Sequence, residues 1–104
     1  METYRVDFES MAWTSSPSGA RFKSYVQGGK KLRLVEFTKG FSEPDWCTKP
    51  HIGYVLEGEI SIDFGGKVIH FTAGDGLFIP PGEENRHKTH IIGDRVKLFL
   101  VEQA

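Results

Sequence analysis

The stretch KPHIGYVLEGEISIDF, residues 49–64, decides how the chain is read. Its second half alternates strictly: Ile60, Ile62 and Phe64 fall on one face of an extended strand, while Glu59, Ser61 and Asp63 fall on the other. One face is therefore dry and the other wet, as in a half-buried sheet. Gly58 separates this run from IGYVLEG, which has His51 at its mouth. Working outward, LRLVEF, KVIHF, GLFIP, HKTHII and RVKLFLVE are further β-rich segments, bounded by several of the 12 glycines. No helical period is sustained, and Pro44, Pro50, Pro80 and Pro81 interrupt any long helix. Short strands at this spacing predict an all-β sandwich or barrel.

The chain has 104 residues, the length of one domain, 1–104, and a domain of this size buries about two thirds of its unfolded surface. Lys plus Arg number 13 against 14 Asp plus Glu, so no net field favours nucleic acid or an anionic membrane. Small ligands and protein partners are the expectation. No apolar run reaches the length of a bilayer span and METYRVDFES does not resemble a secretory leader, so a soluble, cytoplasmic protein is expected. Cys47 is the single cysteine, which excludes an internal disulfide and fits a reducing compartment.

TYRVDF reads as an N-terminal strand, followed by the Ser/Gly/Pro loop MAWTSSPSGA, residues 11–20. Trp13 is the oddity in that loop. A packing role, closing a barrel end or meeting a second subunit, is the better reading of so large an aromatic. Residual strand edges, with Trp13 and Phe8, predict a homodimer in which segment 1–20 lies at the interface.

Two groups of residues carry a family resemblance. The first is Gly40 followed by Tyr54-Val55-Leu56-Glu57-Gly58; the second is Gly74, Pro80, Gly82, His87 and then Gly93-Asp94. Together they resemble the two motifs of the cupin superfamily over most of residues 40–101. The resemblance implies a single-domain cupin-like jelly-roll barrel, or double-stranded β-helix. It aligns the family's first-motif ligand positions with Asp45, Cys47 and His51, a departure from the usual His-x-His and Glu. Four residues rather than two separate Gly82 from His87, but the distance onward to Gly93 fits, so His87 aligns with the second-motif ligand and Asn85 is the weaker choice. Cupins include dioxygenases, isomerases, epimerases, decarboxylases and storage proteins, so the fold does not select a reaction.

The residues can also be read alone. If 45–47 is extended, Asp45 and Cys47 share a face; His51, Gly53 and Val55 share another, and His87, Thr89 and Ile91 a third, with His90 turned away. Asp45, His51 and His87 have the composition of a facial triad for non-haem iron, whereas the softer Cys47 thiolate shifts preference toward Zn, Cu or Ni. A divalent transition metal is implied, with Fe, Zn, Ni, Cu and Mn all open. Affinity should fall as pH drops through about 6.5, because the imidazoles must be neutral and the thiol deprotonated.

Against three of these ligands stands a plainer role. His51 taken alone is a loop histidine at a turn, although the two motifs together favour the ligand reading; Cys47 is equally a small buried hydrophobe, and Asp45 equally a turn residue after Pro44. His70 and His90 are expected outside the site. The cluster Glu83-Glu84-Asn85-Arg86-His87-Lys88 reads as a solvated loop at the barrel mouth, in which Arg86 or Lys88 could meet an anionic ligand. Phe37, Phe78, Leu98 and Leu100 are expected in the core. The leading functional expectation is a metal-dependent enzyme acting on a small molecule. The alternatives are a noncatalytic barrel holding a metabolite or sugar and, last, a Cys47 nucleophile activated by His51 or His87.

Overall fold

Two long strands organise the molecule, whose computed structural model describes residues 4–104. The strands are β1 (Thr14–Ser15), β2 (Ala20–Gln27), β3 (Lys30–Thr38), β4 (His51–Asp63), β5 (Val68–Thr72), β6 (Gly76–Ile79) and β7 (Lys88–Gln103). They pair in the order β1-β2-β3-β7-β4-β5, and β6 joins β4. Every pairing is antiparallel. No α-helix occurs among the described residues, only 3-10 turns at Phe8–Ser10 and Glu83–Asn85. The all-β jelly-roll expectation holds.

The sheet curls because β4 and β7 each serve both halves of the barrel. The first part of β4 pairs with β6 and its last part with β5, while β7 runs beside both. Between those parts the β4–β7 register slips at Val55/Glu57 and Glu57/Glu59, and Gly58 takes φ +82°. The bulge also swaps which residues face inward. Before it His51, Gly53 and Val55 point into the barrel; after it Ile60 and Ile62 do. β7 makes the same change about Gly93, from Thr89 and Ile91 to Val96, Leu98 and Leu100. Gly58 and Gly93 are thus bends within continuous strands, where the sequence pattern suggested breaks between separate ones.

The core is Val35, Val55, Ile60, Ile62, Leu77, Ile79, Val96, Leu98 and Leu100, with Phe22, Phe37, Phe64, Phe71 and Ile91 packed against it. Each fully buried aliphatic side chain contributes about 1.5–3 kcal/mol by leaving water. Phe78 is a correction: it is 76% exposed, because Leu77 and Ile79 take the inward positions of its strand. β2 was not among the segments that the sequence pattern marked as strands.

The N-terminal strand reading also fails. Residues 4–7 form no strand and Phe8–Ser10 is a 3-10 turn, while Thr3 lies outside the described residues. Trp13 packs within its own chain, with the Arg21 guanidinium 4.3 Å and the Lys23 ammonium 4.8 Å from its ring. Arg21 in turn neutralises the buried Glu36 at 2.8 Å.

Candidate metal centre

Three of the four expected ligands converge. Cys47 faces His87 across an isolated antiparallel bridge, in which the Cys47 N–H donates to the His87 carbonyl and the His87 N–H to the Cys47 carbonyl, each at 2.9 Å. Directly opposed residues in an antiparallel pair project from the same face. His51 enters from the first residue of β4, whose register against Ile79 and Ile52–Val101 turns it inward. One ligand atom each of Cys47, His51 and His87 lies within 4.8 Å of the others.

The two imidazoles are held differently. The Nδ1 of His87 lies 3.0 Å from the Asn85 carbonyl, which can only accept, so Nδ1 carries the proton and Nε2 presents its lone pair. That Nε2 is buried and has no hydrogen-bond partner. His51 Nε2 lies 3.9 Å from Cys47 Sγ. On its other side, His51 Nδ1 lies 3.4 Å from Glu102 Oε2, an ion-pair distance too poorly aligned for a hydrogen bond. Glu102 also accepts from Arg33 Nη2 at 2.7 Å. Burial pushes the Glu102 carboxyl up, but the contacts with His51 and Arg33 outweigh it and hold the group below its ordinary range. A carboxylate behind a ligating histidine is the arrangement that fixes an imidazole for metal.

Asp45 is not part of this group. It is exposed, in a bend at Pro44–Asp45, so the extended geometry needed to align it with Cys47 does not form. Proline followed by Asp favours a turn there. Arg86 and Lys88 also stand apart: they lie 5.1 and 4.9 Å from the Trp46 ring rather than in the barrel. His70 and His90 are exposed, as expected. Glu43, Glu102, Arg33 and Lys49 were not singled out by their sequence context, since none lies in a matching motif position.

Cys47 and His51 line a cavity of about 350 Å³ inside the barrel, while His87 is buried and does not line it. Its walls are chiefly apolar, including Phe22, Phe37, Ile60, Leu77 and Leu98, with Arg33, Glu43 and Lys49 the charged side chains. Glu43 Oε1 accepts the Thr89 N–H at 2.9 Å, which anchors that carboxylate at the wall.

An antiparallel barrel with a thiol and two imidazoles gathered beside an apolar interior defines a small β-barrel of jelly-roll type. The chain belongs to the cupin domain family, whose model matches residues 33–102. Its fold is shared with the polyketide cyclase RemF from Streptomyces resistomycificus, at TM-score 0.79 and 20% identity over 98% of this chain and 80% of that one. An RmlC-like cupin from Shewanella frigidimarina matches at TM-score 0.77 and 18% identity, covering 98% and 91%. KdgF from Halomonas sp. matches at 0.74 and 18%, covering 90% and 88%. At these identities the likeness establishes the barrel. No curated protein matches the sequence.

Proposed function

We propose that this cupin is a metal-dependent enzyme that holds a divalent transition metal on Cys47 Sγ, His51 Nε2 and His87 Nε2 and acts on a small organic molecule in the barrel cavity. The observation that carries the reading is the buried, unpartnered Nε2 of His87, left free by the contact of Nδ1 with Asn85 and facing a second imidazole and a thiol. An imidazole nitrogen buried without a protein donor is in a costly state that a cation relieves. Three protein ligands with a position left for water or substrate is the pattern of catalytic zinc sites, and one thiolate with two imidazoles suits Zn²⁺. When bound, such an ion polarises a substrate oxygen or acidifies a bound water.

The chain's own residues supply the rest. The Cys47 thiolate offsets part of the cation's charge, which requires that the thiol stay reduced. The apolar walls exclude bulk water, and Glu43, tied to the Thr89 N–H, is the cavity carboxylate placed to take or give a proton. A polyketide cyclase is among the proteins that share the fold, which supports a small-molecule reading, while the reaction of this chain is its own. The functional unit in this reading is a homodimer.

Elemental analysis of protein purified without added metal tests the reading. The wild type should carry metal in near-stoichiometric amount, or take up added Zn²⁺, and His51→Ala and His87→Ala should lose most of it. Loading with Co²⁺ should give a thiolate-to-cobalt charge-transfer band that Cys47→Ser removes. A wild type that neither carries nor takes up metal would leave the barrel as a noncatalytic binding module.

A further inference from the structure

The cavity contains a cation that the metal reading does not use. Arg33 projects from β3 on the face of Val35 and Phe37, and it lines the barrel interior. Glu102 holds one of its terminal nitrogens, Nη2, at 2.7 Å. Its Nε is buried and has no hydrogen-bond partner. A guanidinium oriented on one side and unsatisfied on another is an unfavourable arrangement unless an acceptor arrives.

A second cation stands at the same cavity. Lys49 lines it and makes no ion pair among the described residues. The charged lining comprises Arg33, Lys49 and Glu43; Glu102 offsets the Arg33 charge and Glu43 accepts the Thr89 N–H, which leaves the Arg33 Nε–H and the Lys49 ammonium as the donors open to a ligand. Apolar walls keep the local dielectric low, so a charge-assisted contact there is stronger than it would be in water. Arg33 is also joined to the ligand group through Glu102 and His51, so an anion on its Nε lies near Cys47, His51 and His87.

We propose that the cavity takes small carboxylic acids, with the carboxylate on the Arg33 Nε–H and the Lys49 ammonium and the apolar body against Ile60, Leu77 and Leu98. One guanidinium N–H and one ammonium provide a donor for each carboxylate oxygen. A cavity of about 350 Å³ suits a short-chain acid. This names the substrate class of the site proposed above and rests on reading the barrel interior as the ligand site, but it holds with or without metal.

Titration calorimetry on chelator-treated protein, comparing hexanoate with its neutral counterpart hexanamide, tests the assignment. The wild type should bind hexanoate at least about 10-fold more tightly, the scale of a charge-assisted contact in an apolar site. Arg33→Met should reduce that preference to less than about 3-fold. Arg33→Lys, which keeps the charge and loses the Nε–H, should fall between them, and Lys49→Gln should weaken hexanoate alone. These two variants carry the test if Arg33→Met does not fold. Absence of hexanoate binding at millimolar concentration, equal binding of the two probes, or a preference unaltered in the variants that fold overturns the proposal. Failure of the metal reading would appear separately, as protein never exposed to chelator that neither carries nor takes up metal, yet still prefers hexanoate.

Discussion

His51 is held between two demands, a thiol 3.9 Å from its Nε2 and a carboxylate 3.4 Å from its Nδ1. If Glu102 sets the tautomer that frees Nε2, removing its charge should weaken metal binding without dismantling the barrel. Glu102→Gln is expected to lower Zn²⁺ affinity by about 10-fold and Glu102→Ala by up to about 100-fold, read by competition with a chromophoric chelator. A purely structural Glu102 would instead change the urea midpoint of the metal-free protein and leave affinity in the folded protein unaltered. His51 and His87 were legible because the resemblance to the two cupin motifs aligned them with ligand positions, and strand periodicity then gave each its face. Glu102, Arg33 and Glu43 were not legible, because their roles come from pairings such as Arg33 with Glu102, 69 residues apart. Asp45 shows the converse: proximity to Cys47 in sequence does not bring two side chains together when the backbone bends between them.

At the scale of elements, β4 and β7 determine whether the ligands meet, and their closest approach depends on glycine. A Cβ at Gly53 would lie 2.1 Å from the Phe99 carbonyl oxygen and 2.7 Å from a Leu100 methyl group, so β7 can pass there only because the side chain is absent. Gly53→Ala should push the strands apart and destabilise the fold by at least about 1–3 kcal/mol, measured as a shift in the urea midpoint. His51 lies two residues away on the same face, so zinc binding should weaken in whatever folded protein remains. Gly29→Ala is not a suitable control despite open space around it, since its φ of +76° strains any side chain; Gly66→Ala is, with no positive φ and nothing within 4 Å. The barrel itself was readable from short alternating segments and turn residues. Its continuity was not, because the bulge at Gly58 and the bend at Gly93 reverse the inward parity, and a reversal of parity looks in sequence like two strands joined by a turn.

At the scale of the molecule, the described residues leave an apolar stripe uncovered on the outer face of the sheet. Phe78 pairs with Ile52, Ile52 with Val101, Val101 with Leu32 and Leu32 with Tyr25, so one row of side chains crosses from β6 to β2. Phe78, Ile52 and Val101 in that row are 76%, 45% and 37% exposed, and Tyr54 beside them is 46% exposed. Phe8 borders the stripe, packed edge-on against Phe99, with its carbonyl accepting from Lys23 Nζ. A flat apolar row can meet its own copy across a two-fold axis, and a stable pair requires about 800 Å² from each partner, a contact centred on large side chains such as Phe78. The expected species at micromolar concentration is therefore a dimer by light scattering. Phe78→Asp should convert it to monomer, because the carboxylate of each copy would be buried in a dry interface, whereas in the monomer the same side chain stays in water. Val68→Asp serves as the control: Val68 is 58% exposed on β5, outside the row, and its variant should remain dimeric. A monomeric wild type, or a Phe78→Asp variant that still pairs, would mean that this stripe is not where copies of the barrel meet.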